Sequence, residues 1–348
     1  MRITNSMMIA NTVRNINNAA RRLSEAQDRM SSQKKIQLAS DDPVVATRAI
    51  KYRNYVSTVE QYQKNVDDVT SWQEVTETAL SDLSDVIQQV RTLTVKASSD
   101  TMTAKNLADI KVQISELRDE AIQIMNTSYA GRYVFGGYST GEEPYALSST
   151  AIGDTVTFKG QYISLGGVVS AEIDDAAIAD FCSTNTQYET TAAESIKYNI
   201  GFNTDITVNM EGQDVIGEGA GNNLFDTISK LLLGLDDETS YKAADISTVP
   251  AVVTTESFSL DDLLTDLDND YDRVLTAQAT LGARMDYVSR VSDRLSTDYA
   301  TYTTLKSNNE DVDVSEASTE VSTAEYVYEA SLTVGAKVIT KTLIDYLA

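Results

Sequence analysis

The chain has 348 residues, 42% hydrophobic and 23% charged, with no histidine, one cysteine and a net charge of −24. That length accommodates two or three domains and a sizeable core. The absence of imidazole excludes His-built zinc sites, His-based triads and imidazole general bases; the lone Cys182 excludes an internal disulfide; the negative charge argues against nucleic acid or an anionic membrane as partner.

Ile9, Val13, Ile16, Ala20, Leu23, Gln27 and Met30 recur at steps of four and three, the heptad pattern of a helix with one apolar seam. Residues 1–40 carry seven basic side chains against two acids, a net +5. They lack the apolar run of a cleaved secretory signal, and no stretch of the chain is apolar for long enough to span a bilayer.

Asp42 before Pro43 reads as an N-cap followed by proline at the first helical position. From there Val45, Ala49, Tyr52, Val56, Val59 and Val66, then Leu80, Leu83, Ile87 and Val90, keep helical spacing. A helix reaching Ala97 is roughly 80 Å long at 1.5 Å per residue. Ser98–Thr101 interrupts it, and Leu107, Ile110, Ile114, Leu117, Ala121 and Ile124 predict a third helix, antiparallel to the second across a short connection.

After residue 136 the texture changes. Segments 155–160, 162–165 and 205–210 read as strands between Gly, Asn and Asp punctuation, and 224–235 reads as a short helix. Residues 136–256 hold nineteen acids and four lysines, a net −15, which favours a position against solvent. Leu260, Leu264, Leu267, Tyr271, Val274, Gln278, Leu281, Met285 and Val288 restore strict heptads, continued by Val291, Leu295, Tyr302 and Leu305. Asn308–Asn309 separates this helix from a last one carrying Val314, Ala317, Val321, Ala324, Tyr328, Leu332, Ala336, Ile339, Leu343 and Tyr346. Residues 308–348 net −6, so the two ends favour each other over themselves. The pattern predicts paired terminal arms (1–40 and 308–348), a long-helix bundle (41–135 and 257–307) and a β-rich outer domain (136–256).

No constellation reads as an active, metal or cofactor site. Asp266, Asp268, Asp270 and Asp272 have calcium-loop spacing but lack its glycine and sit within a heptad helix. Gly217–Gly221 lacks the strand, helix and lysine of a phosphate cradle. Cys182 has no basic neighbour in sequence to activate it, and Tyr62 and Trp72 suit a core or a subunit contact.

Five motifs, taken in order, resemble the flagellin superfamily and, within it, the branch of hook-associated proteins: Arg22-Leu23-Ser24 with Ser40-Asp41-Asp42-Pro43; Gln88-Gln89-Val90-Arg91-Thr92-Leu93-Thr94-Val95; Gly131-Arg132-Tyr133-Val134-Phe135-Gly136-Gly137; Leu281-Gly282-Ala283-Arg284; and Leu343-Ile344-Asp345-Tyr346-Leu347. The resemblance covers the two ends and implies a mainly α, elongated, flagellin-like fold with a β-rich insert, long antiparallel helices and paired N- and C-terminal coiled-coil arms. It further implies a non-enzymatic, cofactor-free structural subunit of the bacterial flagellum, exported through the flagellar type III export apparatus without a cleaved signal and escorted by an export chaperone. The implied partners are copies of itself, a neighbouring hook-associated protein on the hook side and flagellin on the filament side. The subunit interface expected from the seams comprises Ile9, Val13, Ile16, Leu23, Met30, Val321, Tyr328, Leu332, Ile339, Leu343 and Leu347. Thr92 and Thr94 depart from the flagellin residues sensed by an innate immune receptor, so that role is not carried over. Filament flagellin, or an acidic adhesin using the insert, are the alternative readings.

Overall fold

A computed structural model describes residues 5–99, 102–189, 194–219, 222–246 and 251–338. In chain order these form α1 (Asn5–Ser32), α2 (Pro43–Ala97), α3 (Ala104–Met125), β1 (Ser128–Tyr129), β2 (Arg132–Tyr133), β3 (Tyr145–Thr150), β4 (Gly153–Phe158), β5 (Gln161–Tyr162), β6 (Val169–Ser170) and α4 (Asp175–Thr184). They continue as β7 (Lys197–Gly201), β8 (Thr204–Thr207), α5 (Gly212–Ile216), α6 (Leu224–Gly234), β9 (Ser240–Asp245), β10 (Val252–Ser257), α7 (Leu260–Glu310) and α8 (Val314–Val338). Contacts gather them into two compact units, residues 1–61 with 294–348 and residues 62–293. α2 and α7 contribute to both.

The start of α2 is fixed by two neighbouring acids with different tasks. Asp42 Oδ1 accepts the amides of Val44 and Val45 at 2.9 and 3.1 Å, an N-cap ahead of Pro43. Asp41 Oδ2 accepts the amides of Gln37 and Leu38 and shapes the preceding turn. With no glycine or proline from Val44 to Ala97, nothing inside breaks the helix. It stops at Ala97, as the Ser98–Thr101 interruption predicts, and Thr103 caps α3 through the Asn106 amide.

In the first unit α1 and α8 lie antiparallel and, among the described residues, in extensive contact. Beside them Tyr55 of α2 stacks on Tyr302 of α7, ring centres 5.1 Å apart, while Val56, Val59 and Leu295 are buried.

In the second unit Leu80, Leu83, Ile87 and Val90 of α2, Ile110 and Ile114 of α3, and Leu267, Val274 and Leu281 of α7 form the helical core. Gln88 and Arg91 bond Tyr271 and Asp268, so α2 and α7 run antiparallel there. The glycine-flanked aromatic motif now has a physical account. Ala130 and Gly131, both at positive φ, turn the β1–β2 hairpin, and Val134 and Phe135 are fully buried. Gly137 sits at φ +60° where an added Cβ would collide with Glu194 Oε2. That carboxylate takes the Tyr138 amide and Lys159 Nζ at 2.6 and 2.8 Å.

Among the described residues the insert holds two small antiparallel sheets, β3-β4-β5 and β10-β9-β6, the two-stranded ribbon β7-β8 and three short helices. Ile152, Val169, Ile178 and Ala244 form one of its cores, with Cys182 against it. Strands β4 and β8 and helix α6 fall where the pattern puts them. β9 does not show in the pattern, because Ser240–Asp245 (SYKAAD) has little β-propensity of its own and is held by pairing; β3, β10 and α4 also lie outside the expected segments, and of 162–165 only Tyr162 is strand.

Candidate assembly surface

The arm seam is a heptad, in a phase that differs partly from the sequence reading. On α1 the positions turned in are Ile9, Thr12, Ile16, Ala19, Leu23 and Ala26; Ala19 and Ala26 are buried and the others half-buried. Ile9, Ile16 and Leu23 therefore lie on the contact with α8 of the same chain. Val13 and Met30 are exposed, as is Gln27, and Thr12, Ala19 and Ala26 take the alternate seam places. On α8 the seam is Ala317, Val321, Ala324, Tyr328, Ser331 and Gly335, so Leu332 and Ala336 lie one position off it and are exposed.

The reason is helix separation. Ala19, Ala26 and Gly335 let the backbones approach closely where they stand, and Ile9, Ile16, Leu23, Val321 and Tyr328 fill the line between them. At Gly335 an added Cβ would meet Ile16 Cδ1 at 2.9 Å and Thr12 Cγ2 at 3.5 Å. Beside the seam runs a groove of about 640 Å³ lined by Ala19, Arg22, Ala26, Glu320, Ala324 and Val327 among others. Arg29 reaches across to Glu320 at 3.2 Å, the ion pair between the two arm helices among the described residues. The opposite charges of the ends thus act mainly as a field rather than as a ladder of contacts.

Where the arms meet α2 and α7, a knot forms that sequence reasoning missed. Glu310, the last residue of α7, has a side chain only 3% exposed. Its two oxygens accept Arg53 Nε and Nη2, each at 2.7 Å, and Lys34 Nζ lies 3.6 Å away. Burial pushes this carboxyl up, but the Arg53 hydrogen bonds and the Arg53 and Lys34 charges outweigh it and hold it below its usual value. Lys34 also bonds Asp311 at 2.5 Å, which raises the lysine and lowers the acid. The backbone closes the same knot: the Lys35 amide donates to Glu310 O at 2.8 Å, and the Val312 amide to Gln33 O at 3.0 Å. α7 runs on through Asn308–Asn309, which the sequence reading took as the break; Asn309 Nδ2 instead bonds Val45 O, and the chain turns at Asp311–Asp313. Glu310 is one acid in an acidic run, and no local pattern marks it.

Outside the seam both arm helices leave large apolar side chains in the open: Met7, Met8, Val13 and Met30 on α1, and Val314, Tyr326, Val327, Leu332 and Val334 on α8. Tyr326 is 73% exposed. Ile339, Leu343 and Leu347 lie outside the described residues.

The other candidates take structural places. The calcium-like acids are on α7, with Asp268 on Arg91 and Asp270 turned inward onto Thr227 at 2.8 Å and Arg273 at 3.0 Å. Gly217 ends α5 at φ +89°, with Arg273 packed where a Cβ would go. Cys182 is half-buried, and burial raises its thiol. Trp72 is buried edge-on to Tyr129, and Tyr62 meets Phe202 in the same manner. Among the described residues no group of three His, Cys, Asp or Glu side chains is placed to hold a metal, and no helix is long and apolar enough to cross a membrane.

Residues 3–140 match the bacterial flagellin N-terminal helical region and residues 264–347 the bacterial flagellin C-terminal helical region. The chain belongs to the bacterial flagellin family. Its two matched regions contain both arms, all of α2 and α3 and most of α7. Among its relatives, flagellar hook-associated protein 3 of Escherichia coli is 25% identical over 301 residues, covering 86% of this chain and 84% of that one. The protein of that name from Salmonella typhimurium is 25% identical over 89% and 87%, and a flagellin of Clostridium tyrobutyricum 23% identical over 92% and 94%. Among solved structures, a flagellar hook-associated protein of Vibrio parahaemolyticus superposes with a TM-score of 0.57 at 15% identity, over 78% of this chain and all of that one. At that identity the likeness is one of fold. The family is one of structural flagellar components, so the flagellin-like fold expected from the five motifs is what the chain adopts.

Proposed function

We propose that this flagellin-family chain is the subunit that joins hook to filament, an adaptor layer on which flagellin polymerises. The observation that carries it is the arm pair: two helices close on a seam of their own and leave nine large apolar side chains outside it, a surface of the kind that marks a protein contact. The occupant fitting that surface is a second copy of the chain, since head-to-tail contacts between identical subunits build rings and helical layers. The end-to-end match to hook-associated protein 3 favours the junction over other flagellar positions.

In this reading Val13, Met30 and Leu332 belong to the copy-to-copy surface, and Ile9, Ile16, Leu23, Val321 and Tyr328 hold the arm pair beneath it. Ile339, Leu343 and Leu347, outside the described residues, keep the helical spacing of the arm in the sequence. The neighbours are a hook-associated protein on the hook side and flagellin on the filament side, and the acidic residues 136–256 face solvent as an outer domain. The chain leaves the cell through the flagellar export apparatus, held beforehand by an export chaperone, and carries out no reaction.

A deletion strain tests this. It is expected to build hooks, shed flagellin monomers into the medium and lack filaments, with recovery when the chain is restored; normal filaments on the deletion strain would overturn the reading. Filament flagellin is the second reading, favoured by the similarly complete match to the Clostridium flagellin. Immunogold labelling separates the two, as a narrow band beside the hook or a label along the whole filament.

A further inference from the structure

Eight methionines are spread along the chain, and their exposure is not evenly shared. Met125 is fully buried and Met210 is 6% exposed, while Met102 and Met285 are half-buried. The three exposed ones in the described residues, Met7 at 57%, Met8 at 45% and Met30 at 40%, all stand on α1. Thioethers suit a surface that must pack against another, being flexible, polarizable and apolar. They are also the side chains that a peroxide converts most directly to polar ones.

We propose that Met7, Met8 and Met30 are oxidation sites, and that sulfoxide formation there blocks assembly of the chain. This rests on the reading of the arms as a copy-to-copy surface. In the step, a sulfur lone pair attacks one peroxide oxygen, the S–O bond forms as the O–O bond breaks, and the proton of the attacked oxygen passes to the departing hydroxide, which leaves as water. The thioether is oxidised by two electrons and hydrogen peroxide is reduced. The product places an S–O dipole where a neighbour offers apolar side chains, and burying it unpaired disfavours the contact. The effect belongs to the unassembled subunit, because a covering neighbour would shield the sulfur. A sulfoxide reductase reverses it.

The test uses the full-length purified chain, hydrogen peroxide as the probe, and hooks isolated from a strain lacking the chain. Peptide mass spectrometry is expected to show Met7, Met8 and Met30 oxidised well before Met125 and Met210. Incorporation onto hooks should then require about tenfold more protein for each buried sulfoxide, the factor equivalent to 1.4 kcal/mol. The triple variant Met7→Leu, Met8→Leu, Met30→Leu keeps volume and apolarity, and its incorporation, measured against its own untreated sample, should no longer fall on peroxide treatment. Oxidation of Met125 at the same rate, undiminished incorporation of oxidised protein, or a triple variant still inactivated by peroxide would each overturn the proposal. Failure of the untreated protein to bind hooks would instead sink the assembly reading beneath it.

Discussion

Replacing Glu310 by alanine should open the arm connection while leaving the helical core of the second unit intact. The carboxylate is all but sealed and accepts two 2.7 Å hydrogen bonds from one guanidinium, with an ammonium at 3.6 Å. Hydrogen bonds to a charged partner contribute about 1.5–3 kcal/mol each. The cations are more open, with Arg53 59% and Lys34 38% exposed, so solvent screens part of that. About 2 kcal/mol is the expected net loss, which corresponds to roughly thirtyfold in a local opening equilibrium. Hydrogen exchange reads it directly, since the Lys35 and Val312 amides are bonded within the knot. Acid should mimic the variant. Glu310 titrates below its ordinary 4.5 in the folded chain, so its stabilisation is complete above that value and is lost as pH falls through the lowered one. Equal protection of these amides in wild type and Glu310→Ala at pH 7 would refute the reasoning, as would an acid response that persists unchanged in the variant.

Three further outcomes are expected. Gly335→Leu should drive a side chain into Ile16 and Thr12 and separate α1 from α8 at a cost of about 1–3 kcal/mol, seen as faster exchange confined to those two helices. Tyr326→Asp, at an exposed position off the seam, should leave the circular dichroism of the monomer unchanged and abolish incorporation onto hooks; Ile16→Asp would not separate the two effects, because Ile16 also packs on Gly335. Burial pushes Asp270 up to about 6, against the help of Thr227 and Arg273. A raised folded value means stability falls as pH rises from about 4 to about 6, by on the order of 3 kcal/mol. Asp270→Asn should flatten that slope in urea unfolding followed by the single tryptophan, Trp72, which is buried in the same unit.

The sequence by itself determined what depends on neighbours a few residues away. Helical spacing located α2, α3, α7 and both arms, Asp42-Pro43 marked where α2 begins, and the glycines of 131–137 announced the change from helix to strand. Even the partner of the N-terminal arm could be read, because a stripe of apolar residues at each end must be covered by something and the two ends carry opposite charge. Only the tertiary structure decided which flank of each arm is the seam. One position around a helix is a turn of 100°, so Val13 and Thr12, or Leu332 and Ser331, satisfy nearly the same periodicity, and the choice falls to whichever side chains let the backbones come close. Nor could spacing find Glu310 with Arg53, 257 positions away, or set Asp270 apart from Asp268 on the same helix. A carboxylate's burial and its partners belong to the folded chain as a whole, and no local pattern distinguishes the acid that locks a connection from the acid that faces water.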